Sequence, residues 1–213
     1  MDAVIFDLDG TLIDTRRLYA AAYSKAFVDE LGELPDFEAF AARRPSSERL
    51  FLVDWYGDVV GERIHQRMLA HYEAGAASEL GGFFEGVGEM VEAIRARGIS
   101  IAIVTGKSRF AYDVTCRHLD LSAFEVVVVE DDVPKAKPDP AGIERAIAAL
   151  GASDVVYVGD TPMDIEAAHR AGARAAAVLW CWPAKRRLEV AGGLEERVWP
   201  LWKPSDLLVR LGL

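Results

Sequence analysis

The chain has 213 residues, the size of one or two domains, with 34 Asp and Glu against 24 Lys and Arg and a formal net charge of −10. Hydrophobic residues make up 51% and charged residues 27%, a balance that excludes a disordered or fibrous chain, and the acidic surplus excludes a mainly electrostatic nucleic-acid binder. No apolar run approaches the ~18 residues of a bilayer span, so no membrane partner is expected.

Met1-Asp2 leads straight into a strand-like run, Ala3–Phe6, without the basic and apolar regions of a secretory signal. Residues 15 to 84 then contain no convincing strand. Amphipathic helices are predicted over Arg16–Glu30 before Gly32, Asp36–Arg44 before Pro45, Ser47–Trp55 before Gly57 and Asp58–Ala74 before Gly75. Val87–Arg97, closed by Gly98, reads as a crossover helix. From there short apolar runs alternate with helical segments: Ser100–Val104, Phe124–Val129, Val155–Val158 and Arg174–Leu179 fit strands buried on both faces. Between them, Asp139 and Pro140 open a helix with Ile143, Ile147 and Leu150 on one face and Gly151 behind it, and Pro162–Ala171 ends at Gly172.

This is βαβ alternation, hence an α/β fold with a Rossmann-like doubly wound parallel sheet. About 90 residues separate the first two strands, far more than a crossover needs. Residues 1–14 and 85–213 are therefore expected to form the sheet core and 15–84 an inserted all-helical domain, with hinge candidates at Ile13–Thr15 and Gly81–Glu85. Cys116 and Cys181 lie outside any CxxC or Cys/His cluster, which points to a reducing, cytoplasmic location.

Ligands of open parallel sheets bind beyond the carboxyl ends of the strands. Here those ends carry Asp7 and Asp9, Thr105-Gly106-Lys107, Glu130-Asp131-Asp132 followed by Lys135 and Lys137, and Asp160 with Asp164. Carboxylates crowded on one rim repel unless a cation sits among them, and an all-oxygen set with two or three carboxylates suits Mg²⁺. Each feature also has a plain structural reading. Asp7 and Asp9 can shape the turn at Gly10, and Asp160 and Asp164 can complement a helix N-terminus. Thr105-Gly106-Lys107-Ser108 has the tail of a phosphate-binding P-loop, but Ile101 stands where that motif needs its first glycine.

The four segments Asp7-Leu8-Asp9-Gly10-Thr11, Thr105-Gly106, Lys137-Pro138-Asp139-Pro140 and Gly159-Asp160-Thr161-Pro162-Met163-Asp164 resemble, in order, the four motifs of the haloacid dehalogenase-like superfamily. The helical insert is similar to the C1-type cap of its phosphoglycolate-phosphatase-like members. The resemblance implies a Mg²⁺-dependent phosphatase acting on a small phosphorylated metabolite through an aspartyl-phosphate on Asp7. It implies Asp9 as the acid and base, and a metal held by Asp7, the Asp9 carbonyl and Asp160, with Asp164 and Thr11 in support. Thr105, Gly106 and Lys137 would bind the phosphoryl group, and Lys137 would also neutralise Asp7.

An acid at Asp9 serves an alkoxide leaving group, not a halide, so phosphoryl transfer is expected over dehalogenation. A beta-phosphoglucomutase-like phosphosugar mutase shares all four motifs and is the alternative reading; a pyrophosphatase and a non-catalytic binding module are further ones. Lys25, the single lysine of the insert, reads as solvated rather than as a Schiff-base former. In the insert Arg16 and Arg43, with Arg17 and Arg44, are candidate contacts to a second anionic group of the substrate, or ordinary surface charges. His65 and His71 read as solvated. Trp180-Cys181-Trp182 is expected beside the site entrance, or in aromatic packing or a dimer contact. Glu130-Asp131-Asp132 is expected beside the site without being a ligand. A monomer or homodimer is expected, with no nucleic-acid partner.

Overall fold

The computed structural model describes residues 1–35 and 47–213. The expected helix Asp36–Arg44, with Arg43 and Arg44, falls outside the described residues.

Strands β1 (Ala3–Phe6), β2 (Ser100–Val104), β3 (Val126–Val128), β4 (Val155–Gly159), β5 (Arg174–Val178) and β6 (Trp199–Leu201) form one parallel sheet in the order β3-β2-β1-β4-β5-β6. β1 lies between β2 and β4, with Phe6 paired to Ile103 on one side and Val158 on the other. The strand order reverses here, so whatever follows Phe6 emerges at the crevice where ligands bind in such sheets.

Side chains alternate across the sheet. Val4, Phe6, Ile101 and Ile103 pack on one face against Val87, Met90 and Ile94 of α3 (Val87–Ala96). Ala3, Ile5, Ala102 and Tyr157 pack on the other against Ile143 of α5 (Ala141–Leu150) and Ala167 of α6 (Pro162–Arg170). The runs are apolar throughout because both faces are covered. Strand β6 has no counterpart in the sequence reading. It is three residues long with Pro200 at its centre, and it pairs only with β5, an edge position where a missing N–H is tolerated.

Helices α1 (Arg16–Leu31) and α2 (Leu50–Glu79) pack against each other around Leu18, Ala22, Phe27, Leu52, Ile64 and Tyr72. Ala111 and Val114 of α4 (Arg109–Cys116) join that cluster and tie it to the sheet layer. The break expected at Gly57 is present, with φ 75° and ψ 166° inside α2. It folds the short first part of α2 back on the second so closely that a Cβ on Gly61 would lie 2.4 Å from the Leu52 carbonyl oxygen. The stop expected at Gly75 is absent. A Cβ there would meet Leu18 at 3.1 Å, so this glycine serves the crossing of α1 over α2 and the helix continues to Glu79.

The two connections between the layers run side by side. The Asp14 N–H donates to the Gly82 carbonyl at 2.8 Å, the Gly81 N–H to Asp14 at 2.9 Å and the Phe84 N–H to Leu12 at 3.0 Å. Helices α7 (Ala184–Gly192) and α8 (Ser205–Leu211) complete the described chain. Among the described residues no helix is long and apolar enough to cross a membrane.

Candidate active site

Asp7 is the first residue past β1, anchored by its N–H to the Val158 carbonyl at 2.8 Å. Lys137 arrives from the loop before α5. Its Nζ donates to Asp7 Oδ1 at 2.6 Å, Asp164 Oδ1 at 2.6 Å and the Tyr157 hydroxyl at 3.1 Å. Asp164 stands in the first turn of α6 and closes a capping box there: its Oδ2 accepts from the Thr161 N–H at 3.0 Å and the Thr161 hydroxyl at 2.6 Å. Both Asp164 oxygens are thus occupied by protein donors. Carboxylate oxygens of Asp7, Asp160 and Asp164 lie within 4.8 Å of one another.

That crowding shows in the acidities. Burial, then the charges of Asp164 and Asp9, push the Asp7 carboxyl up to about 7 against the pull of Lys137. Asp160 is pushed well above the ordinary range by burial and by Asp164 and Asp7. The set carries more negative charge than Lys137 balances. Asp160 receives little from the protein, namely the Thr11 hydroxyl at 3.4 Å and the Cys181 thiol at 3.9 Å. Gly10 makes room for it: φ is +83°, and a Cβ would lie 2.8 Å from Asp160 Oδ2.

Thr105 and Gly106 follow β2 at the start of α4, whose N-cap Ser108 accepts from the Ala111 N–H. Thr105 Oγ1 accepts the Lys107 N–H at 3.2 Å, which leaves its own proton free to donate. Asp7, Asp9, Thr105, Gly106, Lys137 and Asp160 all line one cavity of about 630 Å³. The structure therefore brings the predicted core residues together. The cavity's far wall is largely aromatic and apolar, built by Tyr19, Tyr23 and Phe27 of α1 with Leu34 and Pro35, and Ser24, Ser47 and Glu48 stand beside them.

Arg16 also lines this cavity, but its guanidinium is held by Asp14 (2.9 and 2.6 Å) and by the Cys181 carbonyl. Arg17 pairs with Glu79 instead. Trp180 donates its indole N–H to the Thr11 carbonyl at 3.0 Å, so this aromatic segment braces the Asp7–Thr11 loop. His71 pairs with Asp29 at 2.6 Å. His65 corrects the expectation of a solvated side chain: it is 4% exposed, next to Ile64 on the buried stripe of α2, with Nε2 3.9 Å from Glu48.

Three residues make contacts that the sequence did not foretell, although Glu130 was expected beside the site. Lys107, 1% exposed, lies 3.1 Å from Asp9 Oδ1. Glu48 accepts the Ser108 N–H at 3.0 Å and the Tyr19 hydroxyl proton. Glu130, just past β3, receives the N–H groups of Glu48 (3.1 Å), Arg49 (3.1 Å) and Leu50 (2.9 Å) at the start of α2. Burial raises its carboxyl in spite of those donors. The one signal for these residues is position, since Lys107 and Glu130 each follow a strand end.

The family model described as haloacid dehalogenase-like hydrolase matches residues 4–178. Over 213 residues the chain is 30% identical to pyrophosphatase PpaX of Bacillus velezensis, covering 97% of this chain and 94% of that one. Over 191 residues it is 31% identical to a phosphoglycolate phosphatase of Cereibacter sphaeroides, with 82% and 83% covered. A solved hydrolase from Pseudomonas syringae superposes with a TM-score of 0.80 at 26% identity, over 100% of this chain and 98% of that one.

Proposed function

The chain belongs to the haloacid dehalogenase-like hydrolase family, and from that membership and the site's geometry we propose that it is a phosphatase that hydrolyses a small organic phosphate monoester through a phosphoryl group carried on Asp7. The observation that carries this reading is the Lys137 ammonium bridging Asp7 and Asp164 at 2.6 Å each. It fixes one oxygen of a buried carboxylate at the sheet's switch point, while the other has no hydrogen-bond partner among the described residues. That second oxygen is the nucleophile.

In this reading residues 1–14 and 85–213 are the catalytic core and 15–84 the cap. The Thr105 hydroxyl and the Gly106 N–H bind phosphoryl oxygens at the start of α4. Asp7 attacks phosphorus, the bond to the ester oxygen breaks, and Asp9 gives its proton to that oxygen. Asp9 then takes a proton from water, whose oxygen attacks phosphorus; the bond from phosphorus to Asp7 breaks, releasing inorganic phosphate and restoring the Asp7 carboxylate. Lys137 offsets the charge of Asp7 in both steps.

The donor set fits a hard divalent cation: three carboxylates close together, all-oxygen ligation, and two acids displaced upward by burial and then by one another's charge. Asp7, the Asp9 carbonyl and Asp160 would hold it, because Asp164 is occupied by Lys137 and Thr161. Mg²⁺ bound there supplies Lewis-acid neutralisation of the phosphoryl oxygens.

The leaving group is organic in this reading. Pyrophosphate would leave as a second phosphate and require cations facing it. On the described wall stand Tyr19, Tyr23, Phe27, Leu34 and Pro35 with Ser24, Ser47 and Glu48, and two cations of the cavity are engaged, Arg16 by Asp14 and Lys107 by Asp9, Tyr19 and Tyr72.

The test is turnover of 2-phosphoglycolate, sugar phosphates, 4-nitrophenyl phosphate and pyrophosphate with Mg²⁺. Organic monoesters should be hydrolysed and EDTA should stop the reaction. A preference for pyrophosphate would overturn the substrate reading, and indifference to EDTA the metal reading. Weak hydrolysis together with isomerisation of a sugar monophosphate that requires a sugar bisphosphate activator would favour the mutase.

Melting temperature gives a second check. The cation needs Asp7 ionised, and Asp7 holds its proton up to about pH 7. A fixed Mg²⁺ concentration should therefore raise Tm more at pH 8 than at pH 5.5. An equal rise at both would contradict this.

A further inference from the structure

Lys107 is a fully buried lysine that no step above uses. It leaves β2 two residues after Thr105 and points between the sheet layer and the helical layer. Its Nζ donates to the Tyr19 hydroxyl of α1 at 2.7 Å and to the Tyr72 hydroxyl of α2 at 2.9 Å, and lies 4.5 Å from the centroid of each ring. Its charge partner is Asp9, whose Oδ1 is 3.1 Å away. That oxygen is buried and has no aligned hydrogen bond among the described residues, so the Lys107 ion pair is what holds it.

The hydroxyls are themselves spoken for, and their protons run in one direction. Tyr72 accepts from Lys107 and reaches Thr115 Oγ1 at 2.9 Å, and Thr115 donates to the Ala111 carbonyl at 2.8 Å. Tyr19 accepts from Lys107 and donates to Glu48, which is fixed in turn by the Ser108 N–H at 3.0 Å. An ammonium has three donors. Two are spent on tyrosines and the third side faces Asp9, so Lys107 has no N–H to offer a phosphoryl group. The residue is built to hold something in the protein.

Asp9 is the group that needs holding. Its side chain is 22% exposed beside Gly10, and a general acid works only within hydrogen-bond reach of the oxygen it protonates. We propose that Lys107 is a positioning residue that holds Oδ1 of the Asp9 carboxyl, so that its other oxygen carries the proton given to the leaving oxygen, and that Tyr19 and Tyr72, which fix Lys107, make this placement depend on the helical layer being seated on the sheet. The proposal rests on the reading of Asp9 as the acid.

The readout is leaving-group dependence. Alkyl phosphates need a proton on the departing oxygen, whereas 4-nitrophenolate leaves well without one. With Mg²⁺ present, kcat and KM are measured for an alkyl monoester and for 4-nitrophenyl phosphate. Lys107→Met should lower kcat on the alkyl ester by about 10²-fold or more, within the range of general-acid catalysis, and on the nitrophenyl ester by less than about tenfold. KM should stay within about threefold.

Tyr72→Phe and Tyr19→Phe keep their rings and lose one hydroxyl each, so they report even if Lys107→Met does not fold. Each should reduce the alkyl ester selectively, by about tenfold. Asp9→Asn is the control. If it discriminates between the esters and the Lys107 and tyrosine variants do not, the positioning role is wrong while the acid stands. If Asp9→Asn does not discriminate, both fall together. Equal losses on both esters would make Lys107 merely structural, and a raised KM with unchanged kcat would make it a substrate ligand; either result overturns the proposal.

Discussion

Asp7→Asn should abolish turnover, by at least about 10⁴ in kcat, and should leave a protein at least as stable as the parent above pH 7. The loss follows from chemistry, because an amide of the same shape cannot accept the phosphoryl group, and removing a nucleophile costs many orders of magnitude. The stability follows from linkage. The Asp7 carboxyl is pushed up to about 7, mainly by burial, from the 3.8 of a free side chain. A carboxyl whose folded pKa exceeds its unfolded one holds a proton that the unfolded chain has already released. The fold therefore loses stability as the pH climbs from about 4 through 7. Asparagine removes that loss. Without divalent cation the two proteins should melt alike only below about pH 4, where Asp7 is protonated in the folded and the unfolded chain, and the variant's advantage should grow from there to a few kcal/mol by pH 8. Thermal melts across that range check it. Residual turnover within a hundredfold of the parent, or a variant that is less stable at pH 8, would remove Asp7 from the role given to it.

Lys137→Met should cost both rate and stability. The ammonium is the shared partner of Asp7 and Asp164, and it is drawn upward by those two charges in spite of its burial. Removing one member of a buried ionic cluster leaves the others uncompensated, which costs about 3–5 kcal/mol. In a chain of this length that is roughly 6–20 °C in Tm. The rate should fall by about 10²–10⁴, as for a lost electrostatic stabiliser of the transition state. Added Mg²⁺ restores part of the missing positive charge, so it should raise Tm more in the variant than in the parent. A variant that melts with the parent and keeps more than a tenth of its rate would show that Lys137 does not balance the cluster.

The site's core was readable because its residues sit at the ends of apolar runs, and a run buried on both faces announces itself in the sequence. Asp7, Thr105 and Asp160 each follow such a run, and the sheet order gathers them; Lys137 lies eight residues past one and was readable through the Lys137-Pro138-Asp139-Pro140 motif. Gly57 was readable as a break for a similar local reason. Other features depend on distance along the chain. Lys107 looks like a strand-end lysine until Tyr19 and Tyr72, 88 and 35 positions away, close around it. Glu130 reads as one acid among three, and its partners lie about 80 residues earlier. His65 sits among charged neighbours in the sequence, and only the packing of α2 turns it inward. β6 is too short, and too interrupted by Pro200, to carry a periodic signal.

Glu130 has one more implication. Helix α2 makes no side-chain cap of its own at Arg49; Ser47 accepts the Phe51 N–H, but those of Arg49 and Leu50 are met by a carboxylate that belongs to the sheet. The helical layer is therefore not a self-sufficient module. Transplanted onto another scaffold, it would arrive with its leading turn undone unless the host presented an acid at the matching spot, so any exchange of such layers between relatives has to carry this residue along.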